Sequence, residues 1–376
     1  KSIKMIKDNF YFICFGAGIY QINSIKILKS MGYKVITVDQ DNHAPGHKYS
    51  DLNIIQSVKN FKKINKNFKK FKIEKNIVGF LTQAARDCTI AVSYFSKLYG
   101  LKSLNIKTAK NLNEKNKICL KYNKKINANL TKINKVKNEY PYVVKLKGKS
   151  GGQGIKLIRS KSDLDTLIEK NLLSHVEKVY VENYLEKIHY SVVGIKYENK
   201  IKFYCILKKI INSDFSNDKI IFTNIQAPYE AKIKSFCKKI ISELNFNFGP
   251  FHFELIASKN HKKFFISEIE PSCIGSYISE ILLPNITNGK ECLVKDVVNL
   301  ILGKKINWRA TKIKKYAIMK FFYKKNLLNE LIKKDSFKKK DTIIKKNYLI
   351  QNKKGLAKGV VFFQTESKKK FKKFIT

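Results

Sequence analysis

Arginine is almost missing from this chain: Arg86, Arg159 and Arg309 are the only three, so lysine supplies nearly all of the 76 basic residues. Acidic residues number just 29, leaving a formal charge of +47. Such a charge invites a nucleic-acid reading through phosphate neutralisation and counterion release. The lysines, however, are spread along the whole chain beside abundant asparagine and isoleucine, and bidentate base or phosphate recognition favours the arginine fork. No specific nucleic-acid partner is expected. The seven cysteines are scattered and never spaced Cys-x-x-Cys, which indicates neither a disulfide framework nor a zinc site. No apolar run approaches the roughly 20 residues of a membrane helix. The lysine-dotted start has no uninterrupted apolar segment of the signal-peptide kind. A cytoplasmic protein without a membrane partner is the expectation. The six histidines form no recognisable triad, and no internal repeat is present.

What the chain does have is length for two or three domains, with 376 residues and 44% hydrophobic content. The apolar run Phe10 to Phe15 ends at Gly16-Ala17-Gly18, after which Ile22, Ile25, Leu28 and Met31 recur at helical spacing. Strands follow at Lys34 to Asp39 and Ile77 to Thr82, separated by a lysine-rich helical stretch. Strands alternating with helices predict a parallel, doubly wound sheet. Gly16 and Gly18 with Asp39 imitate a dinucleotide-binding fingerprint, although Gln21 stands where a third glycine belongs. A nicotinamide-cofactor reading therefore stays open beside that of an ordinary strand–helix turn.

Further on, Tyr140 to Leu146 reads as a strand, followed by the glycine-rich turn Ser150-Gly151-Gly152-Gln153-Gly154, the strand Ile155 to Ile158, and a helix with Ser162 as its expected N-cap. Such a loop can turn several backbone N–H groups onto one anion, or be a plain glycine hairpin. Lys145, flanked by Val144 and Leu146, needs an anionic partner if it points inward. Lys232 to Leu244 is amphipathic and leads to two segments that alternate like strands, Phe251-His252-Phe253-Glu254 and Ser267-Glu268-Ile269-Glu270-Pro271. A period of two sets Glu268 and Glu270 on one face, and His252 and Glu254 likewise share a face. Clustered carboxylates repel unless a cation neutralises them, and an all-oxygen set suits Mg²⁺ or Mn²⁺. A solvated acidic face is the bland alternative.

In this order the pieces resemble the ATP-grasp superfamily, nearest to its carbamoyl-phosphate-synthase-like and biotin-carboxylase-like ligases, over most of the chain. The resemblance implies an ATP-grasp fold of mixed α/β and α+β class. A doubly wound domain would span 1–105. An ATP-grasp domain would span 106–303, with its lid at about 125–185, and a small α+β cap would span 304–376. It implies ATP contacts from Lys117 and Lys145, the lid glycines Gly151, Gly152 and Gly154 with Gln153, the adenine hinge Glu182 and Leu185, and His189 at the ribose. Magnesium would lie on Glu254, Glu268 and Glu270. The implied chemistry is phosphorylation of a carboxylate by ATP and attack on the acyl-phosphate by an amine, both small molecules. Such ligases are often dimers.

Two positions depart from the family pattern. Glu270 replaces an asparagine and adds negative charge, and Ser272 replaces the arginine that commonly steadies the acyl-phosphate. Lys208, Lys209, Arg86 and Arg309 are the candidate substitutes for that lost cation, so Lys145, Lys208, Lys209 and Ser272 form the catalytic set to be located. A catalytically impaired nucleotide binder and a bicarbonate-activating carboxylase are the alternatives. Cys273 is read as a packing residue and His252 as a buried histidine or a neighbour of Glu254.

Overall fold

The computed structural model describes residues 9–375 except 85, 115–117, 119–120, 123–128, 132–139, 147–154, 170–178, 185–187, 213–214, 216, 223–226, 311, 324–341, 347–356 and 358. The first unit is a parallel four-stranded sheet of β1 (Tyr11–Phe15), β2 (Lys34–Asp39), β3 (Leu52–Ile55) and β4 (Ile77–Leu81), in the spatial order β3-β2-β1-β4. Helices α1 (Ile22–Ser30), α2 (Phe61–Lys70) and α3 (Asp87–Leu98) connect and cover it, as the alternating pattern predicts. The strands are apolar on both faces because both are packed. Ile13, Phe15, Ile36 and Val38 lie in one core with Phe68 and Phe95, whereas Phe12, Cys14 and Val35 enter another with α1. The chain order reverses between β1 and β4. That is a topological switch point, and in open α/β sheets ligands bind in the crevice at the carboxyl ends of such strands.

The β1–α1 turn that borders this crevice is built from the glycines. Gly16 has φ +88°, a conformation few side chains adopt. The Ala17 amide donates to Asp39 Oδ2 at 2.8 Å, and the Asp41 amide donates to Asp39 Oδ1 at 3.0 Å. Both oxygens of Asp39 therefore close backbone turns, which accounts for the fingerprint-like acid without any ribose. Gly46 donates its amide to the Ala17 carbonyl at 2.7 Å, and a Cβ at Gly46 would stand 2.7 Å from that same oxygen.

A second sheet, antiparallel throughout, contains β5 (Asn129–Thr131), β6 (Tyr142–Leu146), β7 (Ile155–Ile158) and β8 (Val179–Asn183), in the order β5-β8-β6-β7. Its helix, Lys161–Glu169, begins one residue before the expected cap. Ser160 rather than Ser162 accepts from the Asp163 amide, at 3.2 Å, and the Asp163 carboxylate accepts from the Arg159 amide at 2.8 Å. The first bond satisfies one of the helix's orphan donors, and the second ties down the residue just ahead of the cap.

The third sheet has eight antiparallel strands: β9 (Ile188–Tyr197), β10 (Lys200–Ile211), β11 (Asn217–Phe222), β12 (Phe248–Ala257), β13 (Phe264–Glu270), β14 (Tyr316–Phe322), β15 (Thr342–Lys346) and β16 (Gly359–Thr365). Their order is β13-β12-β9-β10-β11-β14-β16-β15. The segment expected as a small cap thus supplies β14, β15 and β16 to this same sheet. One face packs on the amphipathic helix Ala227–Glu243 through Ile233, Cys237, Ile240 and Ile241, against Phe251, Phe253 and Leu255. The opposite face shares a core with α1 and with the helix Leu293–Ile301. The carboxyl ends of β1 and β4 are thereby brought to the face that carries the glutamates. Among the described residues no helix is long and apolar enough to cross a membrane.

Candidate functional site

Strands β12 and β13 pair in a register that sets His252 opposite Glu270 and Glu254 opposite Glu268, while Phe253 and Ile269 turn to the core. All three predicted metal carboxylates therefore share a face, as the period of two requires. On β9, Ser191 lies in register with Glu254, and His189 with Ile256. On β10, Lys209 lies in register with His189. The Lys209 ammonium donates to Glu254 Oε2 at 2.7 Å. His252 Nε2 stands 2.7 Å from Glu254 Oε1 and 2.6 Å from Ser191 Oγ. Burial alone would raise the Glu254 pKa, but Lys209 and His252 outweigh it and bring the carboxyl down to about 2. Burial, aided by Lys209 and opposed by Glu254, pushes His189 below the ordinary histidine range. At neutral pH His189 is thus a neutral hydrogen-bonding group, not a fixed cation.

The lid strands bring together two residues expected to contact ATP. Lys145 on β6 donates to Glu182 Oε2 on β8 at 2.5 Å, with side chains 25% and 12% exposed. The other oxygen, Glu182 Oε1, is buried and takes no hydrogen bond from the described residues. Lys117, Gly151, Gly152, Gln153, Gly154 and Leu185 lie outside the described residues.

A cleft of about 150 Å³ joins the carboxylate face to the switch-point crevice. Ser191, Lys209, His252, Glu254 and Glu270 line its floor, and Tyr20, Gln83, Gly275 and Ser276 line the facing wall. Gln83, just beyond β4, is locked by the Ser24 hydroxyl and by its own donation to the Ile274 carbonyl at 3.2 Å. Of the four candidate substitutes for the lost cation, Lys209 alone lies at this cleft. Lys208 is exposed and opposite Tyr190, on the other face of β10, because neighbouring strand residues alternate. Arg86 precedes α3 with φ +61°, and Arg309 is exposed beyond the helix Leu293–Ile301. Ser272 is 3% exposed and lines a separate cavity of about 40 Å³ together with Thr82, Pro250 and Val297. The chain turns at Pro271, so the residue in the arginine's sequence position does not enter the glutamate cleft. Cys273 is buried, consistent with packing, and burial pushes its thiol far above the usual range.

Several participants escape a reading of motifs. Ser191 was open to discovery as the residue two beyond His189 on one strand, and Ile256 as the residue two beyond Glu254. Tyr20, Gln83 and Ser276 carry no local signal, since their neighbours in the cleft are far away in sequence. Lys202 is another. Only 1% of its side chain is exposed, and its ammonium reaches Glu291 at 2.6 Å, Asp296 at 3.3 Å and the Asn307 carbonyl at 2.8 Å. Lys202 thus ties β10 to the helix Leu293–Ile301 and to the connection towards β14.

A parallel doubly wound unit, a four-stranded antiparallel sheet and a large antiparallel sheet that bears the carboxylates together make the ATP-grasp fold. Residues 109–273 match the ATP-grasp domain family. Whole-chain likeness extends to an L-amino acid ligase from Bacillus licheniformis, with a TM-score of 0.75, 14% identity, and coverage of 98% of this chain and 96% of that one. A carboxyaminoimidazole ribonucleotide synthase from Aspergillus clavatus, complexed with ATP, gives 0.75, 15%, 98% and 97%. The biotin carboxylase domain of a 2-oxoglutarate carboxylase from Hydrogenobacter thermophilus, with MgADP and bicarbonate, gives 0.69, 12%, 95% and 86%. At such identities the likeness establishes the fold. No curated protein sequence matches the chain.

Proposed function

We propose that this protein is an ATP-dependent ligase that activates a small carboxylate as an acyl-phosphate and joins it to an amine. The observation that carries the reading is the placement of Glu254, Glu268 and Glu270 on one sheet face, with Glu254 and Glu270 in a cleft that opens to the switch point of the doubly wound unit. On this reading the unit 1–105 supplies the substrate wall, 106–303 binds ATP, and 304–376 extends the central sheet.

The oxygen donor set fits Mg²⁺. Glu254 is held ionised, with Lys209 at one carboxylate oxygen and His252 at the other. Among the described residues no three acidic, histidine or cysteine side chains are already drawn round one point. Glu254, Glu268 and Glu270 would hold the ion, which when bound neutralises charge on the transferred phosphoryl group. Lys145 would neutralise phosphate oxygens, and the buried Glu182 Oε1 would accept the adenine amino group. His189, being neutral, would bond the ribose, and half-buried Ile256 would supply apolar contact beside it. Lys117, Leu185 and the 151–154 loop keep the roles their motifs suggest. Lys209, the cation at the cleft, would stabilise the negative charge that the arginine at position 272 would otherwise meet.

The test is ADP release with carboxylic acids paired with amines, with and without Mg²⁺. Mg²⁺-dependent turnover that falls at least about 100-fold in Lys145→Ala and Glu268→Ala supports the ligase. Unchanged turnover in those variants would refute these roles. A second reading follows from Ser272 facing away from the cleft: a nucleotide-binding protein that has lost ligation. It predicts Mg²⁺-dependent ATP binding without ADP release for any acid and amine pair.

A further inference from the structure

The cleft narrows the substrate class, an inference that rests on the ligase reading above. We infer that, ATP apart, the cleft takes a small unphosphorylated molecule of amino-acid size and rejects sugar phosphates and nucleotides. Its volume of about 150 Å³ is roughly five water molecules' share of liquid, below the ~300 Å³ at which pockets for drug-sized ligands begin.

Charge points the same way. Phosphate recognition draws on arginine, lysine or a run of backbone N–H groups turned onto the anion. Lys209 is the only lysine or arginine among the described residues lining the cleft, and on the ligase reading it already serves the transferred phosphoryl group, which leaves no such side chain there for a second phosphate. Two amides of the nearby glycine turn are already taken. Gly16 gives its amide to the Val38 carbonyl at 2.9 Å and Ala17 gives its own to Asp39 at 2.8 Å. What the cleft does present is neutral. Tyr20, Asn217 and Ser276 line it without any side-chain hydrogen bond to a described residue, beside Ile220, Ile274 and Ile278.

The wall is also set against expansion. Ser276 and Tyr277 have φ +53° and +61°, and a π-helical turn, Ile278–Leu282, follows. Non-glycine residues persist in that region only where surrounding contacts over-determine them. Here Ser279 Oγ donates to the Ile274 carbonyl at 2.9 Å, Gln83 donates to the same oxygen at 3.2 Å, and the Tyr277 ring meets Tyr20 edge-on at 5.2 Å.

The test is calorimetry on the full chain with Mg²⁺ and a non-hydrolysable ATP analogue. It is titrated with the α-amino acids from glycine to leucine and, separately, with ribose 5-phosphate, a ribonucleoside monophosphate and inorganic phosphate. At least one amino acid binds saturably, no phosphorylated probe does, and Gly275→Val weakens the amino acid at least tenfold while the ATP analogue binds as before. A Cβ at Gly275 would stand 3.5 Å from Tyr20, an ordinary contact, so Gly275→Ala folds and gives a smaller loss. A phosphorylated probe binding as tightly as the best amino acid would overturn the inference. So would absence of amino-acid binding while the ATP analogue binds, or indifference to both Gly275 variants. In those cases the ATP site stands. Failure of the ATP analogue itself to bind would remove the ligase reading and this inference with it.

Discussion

Lys209 Nζ lies 2.7 Å from Glu254 Oε2 across two strands that are not neighbours in the sheet, β10 and β12, with β9 between them. A lysine and a glutamate 45 positions apart are thereby one ion pair, and the lysine helps to hold the glutamate ionised.

The pH dependence of stability follows from that pair. The Glu254 carboxyl titrates near 2 in the folded protein against an ordinary 4.5, so its contribution is fully present above about pH 4.5 and is lost as pH falls towards 2. The magnitude is on the order of 3 kcal/mol. Urea denaturation from pH 6 to pH 2 should show this acid-side loss in the wild type, and Glu254→Gln should flatten it. Equal slopes would show that the pair contributes nothing.

Replacing Lys209 by methionine removes a cation without emptying the space. ADP release should fall about 100- to 1,000-fold, the usual cost of deleting one electrostatic stabiliser, while ATP affinity changes much less. Single-turnover kinetics beside equilibrium nucleotide binding separates the two. A loss confined to binding would make Lys209 a structural partner of Glu254 only.

In the β5–β8 sheet, Lys145→Ala leaves Glu182 without its ammonium at 2.5 Å and, on the proposed role, deprives the phosphates of a positive charge. Nucleotide affinity measured by calorimetry should drop at least about tenfold, or roughly 1.4 kcal/mol. On the proposed roles, Glu182→Gln should weaken ATP more than inorganic triphosphate, because it alters the adenine contact while the Lys145 ammonium, though it loses its ion-pair partner, remains to meet phosphate. Equal losses for both ligands would contradict that assignment.

Lys202→Met should be the most destabilising of these changes, since it strands the buried Glu291 carboxylate without its 2.6 Å partner. The cost of breaking such a pair is roughly 3–5 kcal/mol. Adding Glu291→Leu should recover much of it, as an apolar pair restores packing without an uncompensated charge. Denaturant midpoints of the single and double variants decide the matter.

Gly46→Ala would place a methyl group 2.7 Å from the Ala17 carbonyl oxygen, so the clamp over the glycine turn must shift. The strain costs about 1–3 kcal/mol. Because Tyr20 follows that turn, the KM for the acid should rise more than the KM for ATP.

The carboxylate face was legible early because strand periodicity is local: the backbone itself sends Glu254, Glu268 and Glu270 to alternate positions, and pairing in register then sets them on one side. The same locality announced the glycine turn, the doubly wound unit and the amphipathic helix. It misplaced a helix cap by two residues, choosing Ser162 over Ser160, since two serines separated by one residue differ only in which one the chain leaves outside the helix. Segment 304–376 read as a separate cap because nothing in its own residues states which sheet edge it will join.

By itself, then, the order of residues determined which side chains alternate onto which face, where glycine permits a tight turn, and which elements follow one another. All of these depend on backbone geometry within a few residues. Tertiary structure alone decided that Lys209, not Lys208, Arg86 or Arg309, meets Glu254, that Ser272 turns into another cavity, and that Tyr20 and Gly275 bound the cleft. Those outcomes are set by sheet order and strand register, which bring together groups separated by tens to hundreds of residues and are fixed by burial of apolar surface across the whole chain.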